Sequence, residues 1–267
     1  MGSARHELSE ITAAILCGGL GTRLASVLPD SPKALAMVAG QPFLHHLLDQ
    51  IESAGVRRCV LLTGHHGDQI EAAVAARTGA LEVHCSRETH PLDTGGALRF
   101  ALDAFTPGPV LVMNGDSWCA VDLHAVYEFH LHHPAHATLV ASRVEDASRY
   151  GSLNIAAGGR ILSFSEKTES SGSALASAGI YLLHRGLIER IPPATRVSLE
   201  RELFPRWATR VGVYACETPA PFLDIGTPES LAIADEFLFT QSRRLADLAA
   251  EALHHLEACR QGQGGSA

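Results

Sequence analysis

The chain has 267 residues, 46% of them apolar, and its 29 acidic against 21 basic side chains leave a formal charge of -8. That is enough length and apolar content for one large domain or two small ones, and too much for a disordered chain. No run approaches the ~18 apolar residues that span a bilayer, the polar start lacks a secretory core, and no block of Lys and Arg offers a nucleic-acid footprint. A cytoplasmic protein without a membrane or nucleic-acid partner is therefore expected.

The pattern alternates strand and helix from the start. Ile11–Cys17 is a continuous apolar run ending in glycines, as a buried parallel strand does. Helical spacing over Phe43–Ala54 stops at Gly55, and Cys59–Thr63 predicts the next strand. Gln69–Arg77 follows as helix, Leu81–Ser86 as strand, Gly95–Phe105 as helix and Val110–Met113 as strand. Such βαβ repetition predicts a Rossmann-like α/β fold, a mixed but mainly parallel sheet flanked by helices, with ligands at the carboxyl ends of its strands.

The texture changes after about residue 137. Ala137–Val144, Ser152–Ile155, Ile161–Ser165 and Gly179–Leu183 read as strands with few helices between them, a small antiparallel layer inserted in or appended to the sheet and carrying a second substrate. Val211–Cys216 and Pro221–Leu223 are further strands, and Thr227 opens a helix with Pro228 in its first turn. Leu238–Cys259 has helical spacing and packs either on its own core or on a second subunit, so a homodimer stays open; Gln261–Ala267 reads as a frayed tail. The expected division is one domain over residues 1–240, with a first part over 1–136 and a second over 137–226, then a helix and tail over 241–267.

The segment after the first strand carries the chemistry. Leu16, Gly18, Gly19, Gly21 and Thr22 form a glycine-rich loop whose N–H groups can meet an anion, with Arg23 and Lys33 adding positive charge. It is neither a dinucleotide fingerprint, since Leu24 stands where the last glycine belongs, nor a Walker loop, since Gly-Lys-Ser/Thr is absent. Only Lys33 and Lys167 are lysines among the 21 basic residues, which marks both as positions needing a compact ammonium. Asp116 and Asp224 each end an apolar strand, where a carboxylate can bind a cation or simply form a turn or cap a helix. The six scattered cysteines read as buried hydrophobes, and the cluster His130, His132, His133 and His136 as a solvated face lacking metal-ligand spacing. His65-His66, in the loop after the second strand, is expected to border the ligand.

The loop, together with Leu92-Asp93-Thr94-Gly95-Gly96-Ala97, Asn114-Gly115-Asp116, Tyr150-Gly151, Glu166-Lys167, Gly179-Ile180-Tyr181 and Asp224-Ile225-Gly226-Thr227-Pro228, resembles the signature of the sugar-1-phosphate nucleotidyltransferases. Within that family the Thr-Gly-Gly-Ala and Phe-Leu-Asp-Ile-Gly-Thr-Pro-Glu segments are most similar to the D-glycero-α-D-manno-heptose 1-phosphate guanylyltransferases. The resemblance implies a nucleotidyl transfer from a nucleoside triphosphate, GTP, to a sugar 1-phosphate, with Mg²⁺ on Asp116 and Asp224. It gives Arg23, Lys33 and Asp116 catalytic roles. Thr94, Gly95 and Gly96 join the loop in binding nucleotide, while Tyr150, Gly151, Glu166, Lys167, Ser177 and Gly179 hold the sugar phosphate.

The chain departs from the pattern at Ala34 and Met37, where prolines are usual, and at Ser177, where Asn is common. The first two are expected to loosen the Lys33 loop, and the third to alter a sugar contact. A hexose-1-phosphate enzyme using another base and a catalytically silent nucleotide-sugar sensor are the alternatives. A glycosyltransferase is disfavoured, because Asp116-Ser117-Trp118 does not supply Asp-x-Asp.

Overall fold

The computed structural model describes residues 7–19, 21–24, 26–145, 151–165 and 173–241. Its first half runs β1 (Thr12–Leu16), β2 (Met37–Val38), β3 (Gln41–Pro42), α1 (Phe43–Ser53), β4 (Arg58–Thr63), α2 (Gly67–Ala75), β5 (Glu82–Arg87), α3 (Asp93–Phe100) and β6 (Val110–Asn114). β1 lies parallel to β4 on one edge and to β6 on the other, and β4 is parallel to β5. Side chains alternate across the central strand: Ala13 and Ile15 join the core beneath α1, whereas Ala14 joins the opposite core with Leu98 of α3. Burial on both faces is why the run is apolar throughout.

α1 buries Phe43, Leu44, Leu47, Leu48 and Ile51. It ends where Gly55 turns left-handed at φ 83°, with Gly55 N–H donating to Glu52 O and Val56 N–H to Ile51 O. α3 differs from expectation by starting two residues earlier, at Asp93, and giving way to a 3-10 turn at Leu102–Ala104.

The second half runs β7 (Ser117–Cys119), α4 (Leu123–His132), β8 (Ala137–Val144), β9 (Ser152–Ile155), β10 (Ile161–Ser165), β11 (Ala174–Leu183), α5 (Arg185–Glu189), a π-helical turn at Leu199–Leu203, α6 (Phe204–Ala208), β12 (Val213–Thr218), β13 (Phe222–Asp224) and α7 (Pro228–Ala232). The antiparallel layer is appended along the parallel one. β11 pairs with β6 through Ile180–Leu183, and through Ala176 with β9, so one edge of the strand serves two neighbours. At the changeover its register against β8 shifts between Ser177 and Tyr181, and Gly179 sits there at φ 76°.

The helical segments between β11 and β12 exceed the sequence expectation; Leu187, Ile188, Leu199, Leu203, Phe204 and Trp207 pack there against the sheet. Thr227 caps α7 with a reciprocal Ser230 bond, and Pro228 takes the first turn as predicted. Residues 234–241 are helical, and Ala234 and Leu238 reach the core beneath α1, while the rest of the expected Leu238–Cys259 helix and the tail lie outside the described residues. Among the described residues no helix is long and apolar enough to cross a membrane. The described cysteines are free thiols, and Cys17, Cys59 and Cys119 are buried.

Candidate active site

The carboxyl ends of β1 and β6 open onto a cavity of about 440 Å³. Its floor begins where β1 runs out: Cys17 N–H still donates to Leu62 O, and Gly115 N–H to Leu16 O, so the two strand ends are tied together. Gly18, Gly19 and Gly21 line the cavity from there. Gly21 has φ 60°, and Leu24 N–H donates to its carbonyl to close the 3-10 turn Thr22–Leu24, from which Arg23 joins the lining. A side chain at Gly18 would stand 3.3 Å from Glu88 Oε1, so glycine keeps the loop close to the end of β5.

Lys33 rises from a second 3-10 turn, Lys33–Leu35, closed by Leu35 N–H to Pro32 O and Ala36 N–H to Lys33 O. Ala34 is buried and its turn is hydrogen-bonded without the usual proline, whereas Met37 is 62% exposed. β7 and β13 pair antiparallel with Ser117 opposite Asp224, and Ile225 N–H donates to Asp116 O, which brings the two strand-end carboxylates together. Lys33 Nζ lies 2.5 Å from Asp116 Oδ2 and 4.0 Å from Asp224 Oδ1. Asp224 also accepts Gly226 N–H. Burial, and secondly the charge of Asp116, push the Asp224 carboxyl above the ordinary range, with Lys33 opposing.

The opposite wall is a network that the sequence did not announce. Glu200, in the π-helical turn, accepts from Tyr181 OH (3.2 Å), Thr94 Oγ1 (2.9 Å) and Ser198 Oγ (3.2 Å). Asn114 Nδ2 reaches Tyr181 OH at 3.4 Å. Burial, then Glu200, pushes the Tyr181 phenol well up, so it stays a neutral donor. Glu88 is the other acid sequence reading missed. Half-buried at the end of β5, it has a raised pKa caused first by burial; one oxygen accepts Leu92 N–H, and its side chain lines the cavity. Its place just beyond a strand end was the available signal.

The cavity gathers Leu16, Gly18, Gly19, Gly21, Arg23, Lys33, Thr94 and Asp116 from the expected set; Asp224 stands beside Lys33. Gly95 and Gly96 do not face it. Both their N–H groups donate to Val197 O, and a side chain on Gly95 would lie 2.6 Å from Leu203 Cδ1, so close packing against the 195–203 segment requires them. Gly179 lies behind the lining, where a Cβ would meet Ser117 Cβ at 3.0 Å; Ser177 Oγ accepts Gly179 N–H at 3.4 Å, and Gly151 is exposed. Tyr150, Glu166 and Lys167 lie outside the described residues. The histidines are not one solvated face. His130 is buried with Nδ1 2.8 Å from Thr138 Oγ1, and burial lowers its pKa to about 4; His133 stacks on Phe129. Neither His65 nor His66, which precede α2, is among the residues that line the cavity.

Among the described residues no group of three or more His, Cys, Asp or Glu side chains forms a metal cage. Asp116 and Asp224 are a two-carboxylate set whose mutual repulsion a divalent cation relieves. That suits Mg²⁺, which binds one or two carboxylates and fills its other positions with water and phosphate oxygens.

Fold and cleft together define an α/β protein whose cavity, lined by a glycine-rich loop, Arg23 and Lys33, opens at the carboxyl ends of its parallel strands. The nucleotidyl transferase family model matches residues 12–241, and the chain belongs to that family. It is 34% identical over 223 residues to the mannose-1-phosphate guanylyltransferase of Mycobacterium tuberculosis, covering 82% of this chain and 62% of that protein. It is 31% identical over 226 residues to the D-glycero-alpha-D-manno-heptose 1-phosphate guanylyltransferase of Aneurinibacillus thermoaerophilus, covering 85% of this chain and 97% of the relative. The chain spans about three fifths of the length of several mannose-1-phosphate enzymes it matches. The crystal structure of HddC from Yersinia pseudotuberculosis complexed with GMP-PN superposes with a TM-score of 0.77 at 33% identity, over 85% of this chain and 99% of that one.

Proposed function

We propose that the chain transfers GMP from GTP to a sugar 1-phosphate, a D-glycero-D-manno-heptose 1-phosphate, releasing pyrophosphate and forming the GDP-sugar. The observation that carries this reading is Lys33, its ammonium set between Asp116 and Asp224 at the edge of the glycine cradle. The guanylyltransferase relatives, one of them a heptose enzyme matched over 97% of its length, support the choice of reaction and sugar.

A sugar-phosphate oxygen attacks the α-phosphorus in line; the bond from that phosphorus to the bridging oxygen breaks, and pyrophosphate leaves with the electron pair. The nucleophile is already deprotonated, so no general base is required. Arg23 and Lys33 offset the negative charge of the triphosphate, and the N–H groups of the Gly18–Gly21 loop orient it. Asp116 and Asp224 would hold Mg²⁺. When bound, the cation supplies charge neutralisation at phosphate oxygens worth several kcal/mol.

Glu88 supports guanine: a carboxylate only accepts, and guanine presents two adjacent donors, N1–H and the 2-amino group. Residues 1–136 serve the nucleotide in this reading. Residues 137–226 serve the sugar phosphate, with Tyr150, Gly151, Glu166, Lys167, Ser177 and Gly179 its binding set. The test is pyrophosphate release with five nucleoside triphosphates against hexose and heptose 1-phosphates. Release that requires both GTP and the heptose 1-phosphate supports the reading. Equal release without sugar phosphate, or none with any pair, overturns it.

A further inference from the structure

Three hydroxyl protons converge on Glu200, and each comes from an oxygen that already accepts another bond. Thr94 Oγ1 accepts Leu199 N–H and Ser198 Oγ accepts Arg201 N–H, and both donate to Glu200 Oε2. Tyr181 OH accepts from Asn114 Nδ2 and donates to Glu200 Oε1. An ionised carboxylate only accepts, at about four lone-pair positions. Three are filled here, and the spare one belongs to Oε1, on a side chain that lines the main cavity. The backbone beneath it is π-helical, closed by Leu203 N–H to Ser198 O, a rare form met frequently at functional sites.

A carboxylate held in this way, with one acceptor position to spare, selects a neutral donor such as a hydroxyl and repels a phosphate. Sheet order says whose hydroxyl it is. Across the site the strands run β11-β6-β1-β4-β5, with Glu88 just beyond β5 and the glycine loop just beyond β1. Glu200 is bonded to Tyr181 of β11, on the other side of the loop from Glu88. With the base on Glu88 and the triphosphate on the loop, hydroxyls on the β11 side belong to the second substrate. We propose that Glu200 is a specificity-determining residue that accepts one hydroxyl of the sugar 1-phosphate at Oε1, positioned for it by Thr94, Ser198 and Tyr181. This assignment rests on the reaction proposed above.

The experiment measures kcat and KM for GTP-dependent pyrophosphate release with D-glycero-D-manno-heptose 1-phosphate and its monodeoxyfluoro analogues, one for each hydroxyl. Fluorine nearly keeps the size of the group and cannot donate. In the natural protein one analogue should lose about tenfold or more in kcat/KM, the worth of a hydrogen bond to a charged group, while the others stay within about threefold. In Glu200→Gln, whose amide can turn either way, that analogue should come within about threefold of the parent sugar, with KM for GTP unchanged. A role confined to tying α3, β11 and the π-helical turn together would instead slow every sugar alike. A natural protein that treats all the analogues equally would overturn the proposal without recourse to any variant. So would a Glu200→Gln protein that keeps the same selective loss. No release with the parent sugar would overturn the reaction reading itself, whereas release that singles out no hydroxyl overturns this assignment alone.

Discussion

Replacing Asp116 with Asn removes one charge while keeping the shape of the side chain, and its consequences for stability and catalysis should separate. At 2.5 Å the Lys33–Asp116 attraction is large in gross terms, about 7 kcal/mol at an effective dielectric of ~20. Three effects oppose its loss. The pair no longer needs desolvating, the repulsion between Asp116 and Asp224 ends, and Lys33 retains Asp224 as a partner at 4.0 Å. The net cost should be the ~1 kcal/mol of a partly exposed pair, a fall in Tm of about 2–4 °C for a domain of this size. The same substitution weakens the site where the charge of two polyanions is offset, and a loss of about 100-fold or more in kcat is expected, or at least ~2.7 kcal/mol. Pyrophosphate release at saturating Mg²⁺ and a thermal scan measure the two quantities on one preparation. A variant with kcat within threefold of the natural protein would refute Asp116 as part of the reacting centre. A collapse in Tm would show that the carboxylate is structural.

Three further outcomes follow from single residues. Glu88→Gln replaces one carboxylate oxygen with a donor, so kcat/KM for GTP should fall by about 100-fold and the preference over ATP should narrow; unchanged selectivity would remove Glu88 from base reading. Gly179→Ala places a methyl group 3.0 Å from Ser117 Cβ and 3.2 Å from Asn114 Cβ at φ 76°, and should cost about 1–3 kcal/mol in urea unfolding, whereas an unaffected midpoint would show that the bulge yields freely. His130, its pKa lowered to about 4 by burial, is held neutral in the fold but takes a proton when unfolded below about pH 6.5. Stability from this group is therefore complete above that pH and lost as pH falls toward 4. Between pH 7 and 5 the natural protein should lose about 2 kcal/mol more than His130→Asn, and equal losses would contradict the buried neutral assignment.

The parallel half of the fold was legible because both faces of β1, β4 and β6 are covered, so their sequences are apolar without interruption. The cavity-lining residues after β1 were legible for a related reason: glycines, Arg23 and Lys33 lie within one short stretch beside a strand end. Glu200 was not, because its role depends on a π-helical turn that sets it against Thr94 and Tyr181, residues 106 and 19 positions away. Gly95 and Gly96 carried a misleading signal. A glycine pair beside a strand end reads as room for a ligand, but here the room is filled by Val197 and Leu203. His130 looked like part of a polar run, and only the packing of α4 on β8 puts it inside while His132 stays in solvent. Packing between separate elements decides all three, and local patterns do not report it.

The account rests on a single polyanion cradle shared by the glycine loop, Lys33 and the carboxylate pair. The most direct test is a crystal structure of the chain with a non-hydrolysable GTP analogue and Mg²⁺. It should show the phosphates against Gly18–Gly21, Arg23 and Lys33, the cation on Asp116 and Asp224, and the base beside Glu88. A nucleotide seated elsewhere, with Asp116 and Asp224 still closed on Lys33 and touching neither metal nor phosphate, would contradict it.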